Sequence, residues 1–158
     1  MGEAQALRLG GDPEASLQRL DTVLRTDPLH PEALEARGLA LLELGREDEA
    51  ASALQAALGN ATLSVSIRAR VLAWLGSALR VAGREADAEA RLREALALDP
   101  AQEDACLSLG VLLAGQGRLA EACGAMLKAA SLDRRPAPRL ALALAVPAII
   151  PSQADIPK

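Results

Sequence analysis

The chain has 158 residues, a formal charge of −4 and 51% hydrophobic content, yet it carries one tryptophan and no tyrosine or phenylalanine. This length suits one domain with an apolar core and excludes a disordered or collagen-like chain. A core drawn almost wholly from Ala and Leu favours close-packed helices over a sheet sandwich, and the interspersed charges leave no basic face for nucleic acid.

Taken in order, Met1 to Gly11 lack a basic stretch followed by an apolar one, so they do not read as a secretory signal. Leu7 stands where a first helix would face inward and Gly10-Gly11 turn the chain. Asp12 then caps a second helix opening at Pro13. Leu17, Leu20, Val23 and Leu24 form its buried stripe, and Asp27-Pro28 ends it. From Pro31 the unit recurs: Leu34, Gly38 and Leu41 lie along a first helix, Gly45 turns, and Ala50, Leu54, Ala57 and Leu58 line a second. Arg37 falls among the apolar positions, where its stem packs and its head reaches water.

The third unit is the clearest, with Leu72, Leu75, Gly76 and Leu79, then Gly83, then Ala88, Leu92, Ala95 and Leu96, and Pro100 closing. Gly76 and Gly110 are 34 residues apart, but Gly38 and Gly76 are 38 apart. Four extra residues make about one helical turn. The spacing therefore predicts a long helix from about Ser64 to Val81, with Ser64 as its N-cap. The fourth unit runs through Cys106, Leu109, Gly110 and Leu113, then Gly117, then Ala122, Met126 and Ala129. Asp99 and Gln102 read as a capping-box variant at its entrance, and Pro136 as its stop. Each recurrent helical glycine is expected to let the second helix, through Ala50, Ala88 or Ala122, lie close against the first.

In the tail, Leu140, Leu142, Leu144 and Val146 alternate with alanines, a strand-like period in helix-forming residues. A stacked array needs a terminal cap, so a short capping helix from about Ala137 to Val146 is expected, followed by an extended tail. The apolar run from Leu140 to Ile150 is broken by Pro147 and too short to span a bilayer, so no membrane insertion is expected.

Few residues carry chemistry. His30 is the single histidine and has no cysteine pair at ligand spacing, which gives no metal site. Cys106 and Cys123 sit on apolar faces of opposing helices and read as core thiols of a reducing compartment, hence a cytoplasmic protein. Asn60-Ala61-Thr62 matches a glycosylation acceptor without a secretion signal. Gly115-Gln116-Gly117 is a helix-to-helix turn and not a phosphate loop. The charges of Glu85 to Glu94 read as a solvated helix face. No nucleophile, base and orienting group assemble from these motifs, so neither an enzyme nor a cofactor is expected.

The pattern Leu72-x-x-Leu75-Gly76-x-x-Leu79, then Ala88-x-x-x-Leu92, then Pro100 resembles the tetratricopeptide-repeat (TPR) family with its aromatic positions filled by leucine. The resemblance implies an all-α fold, a right-handed α-solenoid of antiparallel helix pairs with about 3.5 to 4 repeats. They would occupy 1–30 (truncated), 31–64, 69–102 and 103–136 of an array over 1–136, with 137–158 as cap and tail. It further implies that first helices line a concave groove that binds a peptide or protein. Carried onto this sequence, the groove residues are Glu32, Glu35, Leu39, Leu42 and Glu43. Repeat three adds Arg70, Ala73, Trp74, Ser77 and Arg80, and repeat four adds Asp104, Leu107, Ser108 and Val111. An apolar strip with an acidic side and two arginines suits an extended or helical peptide with one acidic group for Arg70 or Arg80; the alternatives are a solvated groove or one filled by the chain's own tail. Trp74 reads either as a partner anchor or as a residue packed between helices. The lysines and asparagines with which some members clamp a terminal carboxylate are missing at these positions. The segment Leu144 to Ser152 is similar to the junction after TPR arrays in bacterial O-GlcNAc-transferase-like glycosyltransferases. On that reading both ends are cut and the chain is a non-catalytic arm that presents protein acceptors. Self-association through terminal repeat faces is the third option.

Overall fold

The computed structural model describes residues 12–61 and 63–132. These form seven helices: α1 (Pro13–Thr26), α2 (Pro31–Glu43), α3 (Glu47–Leu58), α4 (Val65–Val81), α5 (Glu85–Leu98), α6 (Glu103–Gly115) and α7 (Leu119–Leu132), with no strand among the described residues. The expected first helix of repeat one, the capping helix at 137–146 and the segment Leu144 to Ser152 lie outside them.

Three helix pairs, α2 with α3, α4 with α5 and α6 with α7, stack in series. Each second helix also packs on the next first helix, and α1 stands ahead of α2 as the second helix of an earlier pair. This is an α-solenoid whose core runs continuously from pair to pair through Leu20, Leu41, Leu54, Leu72, Leu92 and Leu113, each almost fully buried.

The three described first helices end in the same way. Gly45, Gly83 and Gly117 hold φ of 68°, 77° and 76°, left-handed backbone that glycine adopts without a Cβ penalty. The amides of the following Arg46, Arg84 and Arg118 donate back to the carbonyls of Leu41, Leu79 and Leu113 at 2.8–2.9 Å, the 6→1 bond of a Schellman turn. Arg46 and Arg84 stand at the N-caps of α3 and α5 and make no side-chain cap, and Arg118 stands immediately before α7. Each instead grips the acid three residues on: Arg46 pairs with Glu49, Arg84 with Asp87 and Arg118 with Glu121, all at 2.7 Å.

The repeated glycines are close-approach points. A Cβ on Gly76 would lie 2.6 Å from Leu92 Cγ and 3.2 Å from the Ala88 carbonyl oxygen; on Gly38 it would meet Leu54 Cγ at 2.5 Å. The side chain that fills the gap is thus the leucine one turn beyond the expected alanine, with Met126 in that place opposite Gly110.

The long helix is found where the spacing put it. Ser64 Oγ accepts from the Ile67 amide at 3.3 Å, and the added turn carries Arg68, which donates to the carbonyls of Leu58 and Asn60 at 3.3 and 3.1 Å. The C-terminus of α3 is thereby capped from the helix that follows it. The capping box read into Asp99 and Gln102 is not formed. Asp99 terminates α5, its carboxylate accepts from the Ala101 amide at 2.9 Å, and Gln102 begins α6 without a side-chain cap. The proline at 100 extends the chain away from Asp99, so that carboxylate folds onto the turn instead of the helix. Asp27 repeats this geometry before α2, where His30 Nδ1 caps the helix by accepting from the Ala33 amide at 3.3 Å.

Candidate functional site

The first helices α2, α4 and α6 lie side by side, and their residues named from the sequence meet different surroundings. Leu39 and Leu42 on α2, Trp74 and Ser77 on α4, and Leu107 and Val111 on α6 are half-buried, each keeping part of its surface open. Ala73 is not available: it is 1% exposed, its methyl set into the core because α6 packs along that side of α4. Glu35 and Arg70 are taken up by one another.

That pair was not legible as a pair. Glu35 is 7% exposed, and its two oxygens receive Arg70 Nε at 2.5 Å and Nη2 at 3.0 Å, a side-on fork joining α2 to α4 across adjacent repeats. The Glu35 carboxylate holds the Arg70 guanidinium above its ordinary value, against the opposing effect of burial. The signal available in the sequence was opposite charge at neighbouring groove positions of consecutive repeats.

Arg80 differs. It is half-buried, and its Nε is sequestered with no hydrogen-bond partner, as is the indole N–H of Trp74. Val81, absent from the sequence-based set, is 52% exposed. Seven residues after Trp74, it shares that residue's helix face and extends the apolar strip.

A second polar cluster joins repeats three and four away from these residues. Glu89 on α5 accepts from Arg93 at 2.6 Å and from Arg118, in the turn before α7, at 2.9 and 3.0 Å; Arg118 also holds Glu121. Glu89 is depressed below the usual carboxylate range, chiefly by Arg118 and then by Arg93, and Glu121 by Arg118. The stretch Glu85 to Glu94 is therefore not simply a solvated face, since Glu89 is half-buried under this contact. Two clefts of about 420 and 320 Å³, between α2 and α3 and among α3, α4 and α5, are lined by none of the groove residues. Cys106 is buried, and burial pushes its thiol up; Cys123 is exposed, contrary to its reading as a core thiol. The equivalent place one repeat earlier is Glu89, which stands off the core face of α5, and Cys123 keeps that position on α7. Among the described residues no group of His, Cys, Asp and Glu could hold a metal ion, and no helix is long and apolar enough to cross a membrane.

Comparison with known proteins agrees with this architecture. The tetratricopeptide-repeat family model matches residues 1–64 and 74–141. The chain belongs to the tetratricopeptide-repeat family. Among solved structures it is similar to MamA from Desulfovibrio magneticus RS-1, with a TM-score of 0.71 at 24% identity over 83% of this chain and 72% of that one. PilF of Pseudomonas aeruginosa gives 0.72 at 23% identity, over 84% and 59%. The second TPR domain of human RPAP3, solved in complex with the HSP70 peptide SGPTIEEVD, gives 0.63 at 19% identity, over 70% and 89%. At these identities the likeness is one of fold. Among curated proteins none matches.

Proposed function

We propose that this chain is a protein-interaction module that receives a peptide segment of a partner in the groove formed by α2, α4 and α6. The observation that carries the reading is a run of half-buried apolar side chains on three consecutive first helices: Leu39 and Leu42, then Trp74 with the exposed Val81, then Leu107 and Val111. Side chains left half open on a wall otherwise fixed by close helix packing suit apolar anchors of an extended or helical segment. The RPAP3 domain, which shares the fold, was solved in complex with a peptide, and that supports peptide binding as a use of the fold. The polar groups that the structure brings together, Glu35 with Arg70 and Glu89 with Arg118, tie one repeat to the next, which favours a scaffold over a catalytic site. Its two free thiols suit the cytoplasm, where they would stay reduced.

The test uses the single tryptophan as reporter. Peptides recovered by panning a displayed random library against the chain are expected to shift Trp74 emission on titration. Val111→Glu should weaken them about tenfold or more, while Gln55→Glu, exposed on α3, should leave them unaffected. Peptides that bind without perturbing Trp74 and are indifferent to Val111→Glu would place recognition elsewhere.

A further inference from the structure

Two arginines stand on the groove face of α4, and only one of them is available. Arg70 delivers Nε and Nη2 to the buried carboxylate of Glu35. Arg80 has no hydrogen bond or ion pair, and its Nε is buried without a partner. Every other arginine among the described residues has one or the other.

From this asymmetry we infer that Arg80 is the specificity-determining residue of the groove and selects a partner segment carrying an Asp or Glu side chain between apolar anchors; this rests on the groove reading above. Two observations support it. Ten residues earlier Arg70 already takes a carboxylate in two parallel bonds, on Glu35. Arg80 is half-buried, and of its three nitrogens only Nε is shut away from solvent, so its Nη atoms stay open to a ligand carboxylate that the chain itself does not supply.

The carboxylate is assigned to a side chain within the segment and not to a chain end. Half-open apolar residues lie on both neighbours of α4, Leu39 and Leu42 on α2 and Leu107 and Val111 on α6. A segment that covers both passes over α4 and does not stop there. Charge decides the sign of the preference. Arg80 is the cation of the wall without a counterion, so an amide at the same register leaves the guanidinium without its acceptor pair.

The experiment pans a random twelve-residue library displayed with its C-terminus tethered, so that only side-chain carboxylates are on offer. Enriched sequences are expected to hold an Asp or Glu at fixed spacing from apolar residues. As synthetic peptides they should shift Trp74 emission. Exchanging that Asp or Glu for its amide should weaken binding to the parent chain about tenfold, but less than about twofold to Arg80→Gln. Arg80→Lys, which keeps the charge without the fork, should fall between. Removing Arg80 leaves no group of the chain unpaired, so an unchanged thermal midpoint for Arg80→Gln is the folding control. Peptides that shift Trp74 but lose nothing on amide exchange, or lose as much with Arg80→Gln, overturn the carboxylate preference and leave the groove reading standing. So does an amide-exchanged peptide that regains full affinity from a free C-terminal carboxylate, as to the side-chain source. Failure to enrich any peptide that shifts Trp74 overturns the groove reading and this inference with it.

Discussion

Glycines of the same helical type meet opposite surroundings here, and that difference sets the sign of an alanine substitution. Replacing a helical glycine by alanine gains about 1 kcal/mol from backbone entropy. At Gly124 in α7 nothing lies within 4 Å of the added Cβ, so Gly124→Ala is expected to stabilise by about that amount. At Gly76 the new Cβ falls 2.6 Å from Leu92 Cγ, a branch point with no free end to swing away. Overpacking of this kind costs about 1–3 kcal/mol, which exceeds the entropic gain over most of its range, so Gly76→Ala should destabilise and Gly76→Leu should loosen the array. Urea unfolding of the two alanine variants checks the sign, and a shift in the same direction would sink the packing account. A charged pair behaves in a related way. Arg70→Ala leaves the Glu35 carboxylate buried and unpaired, with an expected loss of about 1–3 kcal/mol, held toward the lower end because Arg70 itself is 45% exposed. Arg46→Ala breaks an exposed pair of similar geometry and should change the denaturation midpoint little by comparison. The glycine period was legible in the sequence because each repeat needs the same close contact. The pairing of Glu35 with Arg70, and the burial of Ala73, were not, because both depend on how closely one repeat leans on the next.

Helix boundaries were legible wherever backbone chemistry alone decides them. Asp12 before Pro13, Ser64 before Val65 and the glycines at 45, 83 and 117 act through their own φ or their own side-chain oxygen, within three residues of where they stand. Asp99 failed as a helix cap for a reason equally local, the extended geometry that Pro100 imposes, and it was misread because two uses of one carboxylate share a sequence pattern. Arg68 was opaque for a different reason: its acceptors, the Leu58 and Asn60 carbonyls, belong to the preceding helix end. The four-residue lengthening of α4 thus supplies the cap that α3 lacks from its own sequence, where Gly59 follows without a positive φ. Arg68→Ala removes a charged donor from two carbonyls. It should lower stability by about 1–2 kcal/mol, with Arg68→Lys recovering part of it. If both variants unfold with the parent's midpoint, the added turn has no capping role.

At the scale of the whole molecule, a solenoid has no contacts between distant repeats, so its stability is a chain of neighbour couplings and each coupling can be addressed alone. Between repeats three and four the ionic part of that coupling is Glu89 against Arg118, with Arg93 and Glu121 completing the cluster beside an exposed hydrogen bond from Gln116 to Glu85. Arg118, and after it Arg93, hold Glu89 below the ordinary carboxylate value, and Arg118 does the same to Glu121. A carboxyl depressed in the folded state stabilises the fold fully above its unfolded value, about pH 4.3. That contribution disappears as pH falls through the lower folded value. Acid should therefore loosen the α6–α7 pair from α5 while the apolar packing through Leu92 and Leu113 persists. The expected result is a thermal midpoint that is flat near neutrality and declines below about pH 4.5. Glu89→Gln should start from a lower midpoint at pH 7 and decline less steeply, so that the two curves converge in acid. Parallel curves would mean that Glu89 titrates alike folded and unfolded, and that the coupling between these repeats is carried by its leucines and alanines alone.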